Sequence, residues 1–99
     1  FNPGHAYYSL GQHQRTIQDF DKVIQLNPKN EKAYSNRGYT YFRLGQYQRA
    51  IQDYDEAIQL DPNRAFFYDS RSIAYRTLGQ DAESDADKAK ACSLDKQYC

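Results

Sequence analysis

The stretch LGQHQRTIQDFDKVIQLNP, Leu10 to Pro28, is written again 34 residues later as LGQYQRAIQDYDEAIQLDP, Leu44 to Pro62. The period holds for a third copy. Leu10, Leu44 and Leu78 keep it, as do Gly11, Gly45 and Gly79, Tyr7, Tyr41 and Tyr75, and Leu26, Leu60 and Leu94. Repetition at this interval constrains the fold more than any other feature of the chain. Each copy is one small unit that cannot bury its own apolar face, so units must stack side by side to complete a core.

Each Leu-Gly pair divides its unit in two. Before it, Tyr34, Arg37, Gly38, Tyr41 and Leu44 recur with the spacing of one helical face. After it, Tyr47, Ala50, Ile51, Tyr54, Ala57 and Ile58 do the same. A glycine just past the last periodic residue is a helix stop, and Asn27-Pro28 and Asp61-Pro62 close the second helix of their units. No stretch alternates with period two, so strands are excluded. The expectation is one all-α domain over residues 1–99, with repeats at 1–30, 31–64 and 65–99 and about six antiparallel helices.

In order, Tyr34, Gly38, Tyr41, Gly45, Tyr47, Ala50, Tyr54, Ala57 and Pro62 resemble the tetratricopeptide repeat. Repeat one keeps Gly4, Tyr7, Gly11, Phe20 and Pro28 but has His13, Thr16 and Val23 at other signature positions. Repeat three keeps Tyr68, Tyr75, Gly79 and Ala91 but has Ser72, Asp81, Ser84 and Lys88 where the pattern wants Gly, an aromatic, Ala and an aromatic. The resemblance implies a right-handed α-solenoid of three helix-turn-helix hairpins, the first truncated and the third a cap. In that cap Ala82, Ala86 and Ala89 are expected to form a narrow buried stripe.

The family resemblance also implies a concave groove lined by the first helix of each unit, holding a peptide or helix of another protein. On this sequence the groove positions are Phe1, His5, Tyr8, Lys32, Ser35, Tyr39, Phe42, Arg43, Phe66, Asp69, Ile73 and Arg76. Tyr39 and Phe42 fall off the packing face, and an aromatic row without a packing role marks a contact surface. Arg43 and Arg76 are expected to meet acidic or amide groups. Some members of the family hold chaperone C-terminal carboxylates with a Lys, Asn and Arg clamp, and the matching positions here are Phe1, His5, Asn36, Phe66 and Ser70. Asn36 alone fits, which argues against a chaperone tail as partner. The alternative use is self-association through open solenoid ends, where Ile17 and Ile24 would be poorly covered, or through the exposed aromatics.

Thirteen basic residues balance thirteen acidic ones, so no long-range field draws nucleic acid or an anionic membrane. No apolar run nears the roughly 20 residues of a membrane span. No nucleotide-binding glycine loop, nucleophile elbow or paired metal ligands occur, so no catalytic residue, cofactor or metal is expected. Asp53, Asp55 and Glu56 read as solvated helix surface and His13 as a half-buried packing residue. Without methionine, a chain opening on Phe1 is expected to have been cut from a longer one. Cys92 falls where Ile24 and Ile58 stand, as a small buried hydrophobe would, yet Cys99 follows closely enough for a chain turning back to bond it. The compartment stays open: cytoplasmic is favoured, with a periplasmic or secreted setting the alternative if the two cysteines are bonded.

Overall fold

The computed structural model describes the backbone of residues 3–99 and the side chains of residues 10–99. Within them the chain forms α1 (Pro3–Leu26), α2 (Glu31–Arg43), α3 (Tyr47–Leu60), α4 (Ala65–Thr77), α5 (Asp81–Leu94) and a closing 3-10 turn (Lys96–Tyr98), with no strand among the described residues. Helices α2 and α3 pair as one hairpin and α4 and α5 as the next; α3 lies against α4 and α1 against α2.

Each hairpin turn is made by its glycine. Gly45 and Gly79 adopt φ of 78° and 77°, where a side chain is strained. Gly45 N–H donates to the Phe42 carbonyl and Gln46 N–H to that of Tyr41, both at 2.9 Å. Gly79 and Gln80 repeat the pattern on Arg76 and Tyr75 at 3.0 and 2.9 Å. Two otherwise orphaned carbonyls are thus satisfied at each helix end.

The third such glycine behaves differently, which corrects the expected helix count. Gly11 lies inside α1, which runs unbroken for 24 residues, so five helices are described in place of about six. Among the described residues, no atom beyond the helix's own nearby backbone lies within 4 Å of a Cβ built on Gly11, so none of them requires a turn there. The packing that fixes the other hairpins is also weaker here. Thr16 and His13 replace the fully buried Ala50 and the ring of Tyr47, and the Thr16 hydroxyl donates back to the Gln12 carbonyl at 2.9 Å.

Two apolar clusters hold the stack. Ala50, Ile51, Tyr54 and Ala74 form the first, with Tyr41, Phe42, Tyr75 and Leu78 against it. Ala65, Tyr68 and Ala91 form the second, covered by Ile58, Leu94 and Tyr98. The expected alanine stripe of α5 is not the buried one: Ala82, Ala86 and Ala89 are exposed, and Ser84, Asp87 and Ala91 face inward. The reason is polar pairing across the α4–α5 hairpin. Ser72 Oγ lies 2.9 Å from both the Ser84 carbonyl and the Ser84 hydroxyl, so the departures at 72 and 84 satisfy one another.

Two of the three acids taken for solvated surface also have structural roles. Asp53 is buried and accepts from Arg37 Nε and Nη2 at 2.9 and 2.7 Å, while Arg37 Nη1 reaches Asp21 on α1 at 2.9 Å. One repeat on, Arg71 binds Asp87 through Nε and Nη2, both at 2.7 Å, and Asp55 through Nη1 at 2.7 Å. Each guanidinium lies within 6.0 Å of two tyrosine ring centroids, Tyr34 and Tyr41 for Arg37 and Tyr68 and Tyr75 for Arg71. Hydrogen bonds from Arg37 to Asp53, and from Arg71 to Asp87, hold these guanidiniums protonated well above their ordinary range, against the opposing effect of burial. Glu56 alone of the three stays exposed without a partner among the described residues.

Cys92 and Cys99 are joined by a disulfide, with Cα atoms 4.7 Å apart. The bond pins the closing turn so that Tyr98 covers the second cluster. Asp95 caps that turn, and hydrogen bonds from the Gln97 side chain and backbone hold its carboxyl below the usual carboxylate range.

Candidate functional site

Helices α2 and α4 are the first helices of adjacent units, so equivalent positions lie side by side across the stack. Between them lies a pocket of about 150 Å³ walled by Tyr39 and Phe42 of α2 and Phe66, Asp69, Ser70 and Ile73 of α4, with Tyr54 of α3 also lining it. Larger hollows of about 410 and 510 Å³ lie at the α2–α3 turn and beside the Arg37 bridge. The hollow beside the Arg37 bridge is lined mainly by polar and charged side chains, and the one at the turn, though its exposed lining is largely apolar, lies much more open to solvent than the α2–α4 pocket. The α2–α4 pocket is the one whose chemistry suits an anchored side chain.

Tyr39, Phe66 and Ile73 are 54%, 51% and 49% exposed, although each is large and apolar or aromatic. Lys32, Arg43 and Arg76 are also exposed, and Asp69 is half-buried in the pocket wall. Arg76 pairs with Asp85 of α5 at 2.9 Å, but both side chains are so exposed that the pair holds loosely. Lys32, Arg43 and Asp69 have no hydrogen bond or ion pair among the described residues. Burial raises the Tyr54 phenol above its ordinary pKa, with smaller contributions from Tyr39 and Asp53, so the lining ring stays neutral.

Two expected groove residues have other duties. Ser35 is buried, only 3% exposed, and offers no ligand surface. Phe42 packs on the first apolar cluster and edge-on to Tyr47, with ring centroids 5.2 Å apart, so it has the packing role that periodicity denied it. Phe1 and the side chains of His5 and Tyr8 lie outside the described residues. Tyr54 and Ser70 line the pocket although neither was expected in the apolar trough. Tyr54 was read as packing only, because its face of α3 points at the core; its ring packs closely against Gly38 of α2 and also lines the pocket.

A family model described as "Tetratricopeptide repeat" matches residues 31–64, and one described as "TPR repeat" matches residues 4–45. The Arabidopsis OM64 TPR domain is 30% identical, with 95% of this chain and 78% of that one superposing at a TM-score of 0.84. The chain belongs to the tetratricopeptide repeat family. Also similar is the first TPR of Spaghetti (RPAP3) bound to the HSP90 peptide SRMEEVD, 26% identical over 94% of this chain and 74% of that one, TM-score 0.84. A MamA crystal structure is 26% identical over 95% of this chain but only 55% of its own, TM-score 0.84. No curated protein sequence matches the chain. As a TPR protein the chain is a protein-interaction scaffold.

Proposed function

We propose that the groove between α2 and α4 binds a peptide or helical segment of a partner protein, anchored by an apolar side chain in the pocket. The observation that carries this reading is that Tyr39, Phe66 and Ile73 leave about half of their surface in water while walling one hollow. Water over such a patch is released when a ligand covers it, and aromatic anchors of this kind carry much of an interface's free energy. The relatives bound to SRMEEVD support protein partners and leave the argument against chaperone tails without support. That peptide therefore belongs among the probes.

Tyr39 and Phe66 are the residues to truncate, because neither belongs to a buried cluster. The partner is captured by crosslinking from the native source, and its binding segment is titrated by fluorescence anisotropy. Tyr39→Ala or Phe66→Ala is expected to weaken binding about five- to thirtyfold, or about 1 to 2 kcal/mol, with unchanged circular dichroism. Unchanged affinity in both variants would remove the groove from consideration.

Self-association is a second reading, favoured by α1. Leu10, Val23 and Leu26 are exposed there, Leu26 almost wholly. Light scattering across a concentration series separates the two: a dimer lost in Leu26→Lys supports self-association, and a monomer throughout rejects it.

A further inference from the structure

Resting on that groove reading, we infer that the occupant carries a Lys or Arg beside its apolar anchor, received by Asp69. The charges around the pocket differ from the sequence expectation of arginines awaiting acidic groups. Arg76 is loosely paired with Asp85, and among the described residues the one acidic or basic side chain lining the pocket is Asp69. Most carboxylates this shielded have a cation or donor: Asp53 has Arg37, Asp87 and Asp55 have Arg71, Asp61 has Arg64 and Asp95 has Gln97, while Glu31, the exception, sits in the first turn of α2, where the helix N-terminus favours its charge. Asp69 has no such partner among the described residues, and Phe66 and Ile73 of the same helix line the hollow with it.

A ligand that fills this hollow removes the water now solvating Asp69. Burying an ionised carboxylate without a partner is unfavourable, and a cation delivered with the anchor turns that penalty into an attraction. A carboxylate delivered there would meet like charge. Lys32 and Arg43 stand exposed and outside the pocket lining, so the inferred preference is local, one cation next to the anchor, and not for a basic peptide as a whole.

The test is selection of randomised peptides displayed on phage against the immobilised full chain, its Asp69→Asn and Asp69→Lys variants, and Tyr39→Ala. The wild type is expected to enrich an apolar anchor with an adjacent Lys or Arg. Asp69→Asn should keep the anchor and lose the basic neighbour, and Asp69→Lys should select Asp or Glu in its place. For a selected peptide, exchanging that Lys for Gln should weaken wild-type binding about three- to fivefold, the scale of a partly exposed ion pair, and leave Asp69→Asn unaffected. Anchors enriched without a basic neighbour, or the same neighbour retained by Asp69→Asn, overturn the Asp69 inference and leave the groove reading standing. No enrichment at all, or enrichment that Tyr39→Ala shares fully, overturns the groove reading and this inference with it.

Discussion

Gly38 shows how one missing side chain sets the distance between helices. A Cβ built there would lie 3.0 Å from Tyr54 Cε1, 3.1 Å from Asp53 Cβ and 3.2 Å from the Ala50 carbonyl oxygen. Backbone cannot retreat as a flexible side chain can, so Gly38→Ala forces α2 off α3. A net loss of about 1 to 2 kcal/mol is expected in urea denaturation, because overpacking outweighs the helix propensity of about 1 kcal/mol that alanine brings. Repeat three carries Ser72 at the same place without a clash. There Lys88 stands where Tyr54 does, exposed, so the space its ring would fill is free. The Tyr54 phenol gives a pH prediction. Its pKa is raised in the folded chain, so it holds its proton more tightly than in the unfolded chain. Stability from this group is complete below the ordinary phenol pKa of about 10 and is lost as pH climbs above it. Tyr54→Phe removes that titration. Its thermal midpoint should fall less steeply than that of the wild type above about pH 10; identical slopes would show that burial of this hydroxyl does not matter.

Among the elements, the three equivalent glycines separate what sequence writes locally from what packing imposes. Gly45→Ala places a methyl in the left-handed region and is expected to cost about 1 to 2 kcal/mol. Gly11→Ala puts the same methyl inside a helix with open space around it, and should be neutral or stabilising by up to about 1 kcal/mol. Equal losses in chemical denaturation would mean that residue 11 is also a turn. The period, the helical faces of α2 to α5 and both glycine turns could be read from sequence because each is local and repeats at one interval. The continuity of α1 could not, since glycine permits helix and turn alike and the decision rests on contacts that repeat one makes weakly. The arginine bridges left a readable sign in the 34-residue spacing of Arg37 and Arg71, of Asp21 and Asp55, and of Asp53 and Asp87. Charge patterning alone assigned Asp53 and Asp55 to water. In the groove, Tyr39 was legible as a position off the packing face, and Phe66, Asp69 and Ile73 through the register that the family resemblance implies. Ser35 was not, because its burial depends on neighbouring helices. The closing turn adds one more test. Reducing Cys92–Cys99 frees a short loop in the unfolded chain and is expected to cost about 2 kcal/mol, read as a lower thermal midpoint with reductant.

Across the whole molecule, stability of a stacked array divides into terms within units and terms between them, and the arginine bridges contribute to both. Arg71 grips Asp87 of its own hairpin with two hydrogen bonds and Asp55 of the preceding one with a single bond. The two acids differ in shelter, with side chains 7% and 44% exposed. Replacing each by asparagine makes the same chemical change in two different interfaces. Asp87→Asn leaves a guanidinium facing a poorer acceptor in a sheltered site, and is expected to cost about 2 to 3 kcal/mol. Asp55→Asn breaks an exposed contact and should cost about 0.5 to 1 kcal/mol. Its larger effect is on cooperativity, because α4 and α5 lose a tie to α3 while their own hairpin stays intact. Native-state hydrogen exchange should then show α4 and α5 opening at lower free energy than α2 and α3 in Asp55→Asn, whereas the wild type opens both hairpins together. Such uncoupling also loosens the spacing between α2 and α4 that forms the pocket, so peptide binding should weaken although no groove residue has changed. Equal costs for the two variants, or exchange that stays uniform in Asp55→Asn, would mean that apolar packing alone joins the units and that the bridges only decorate it.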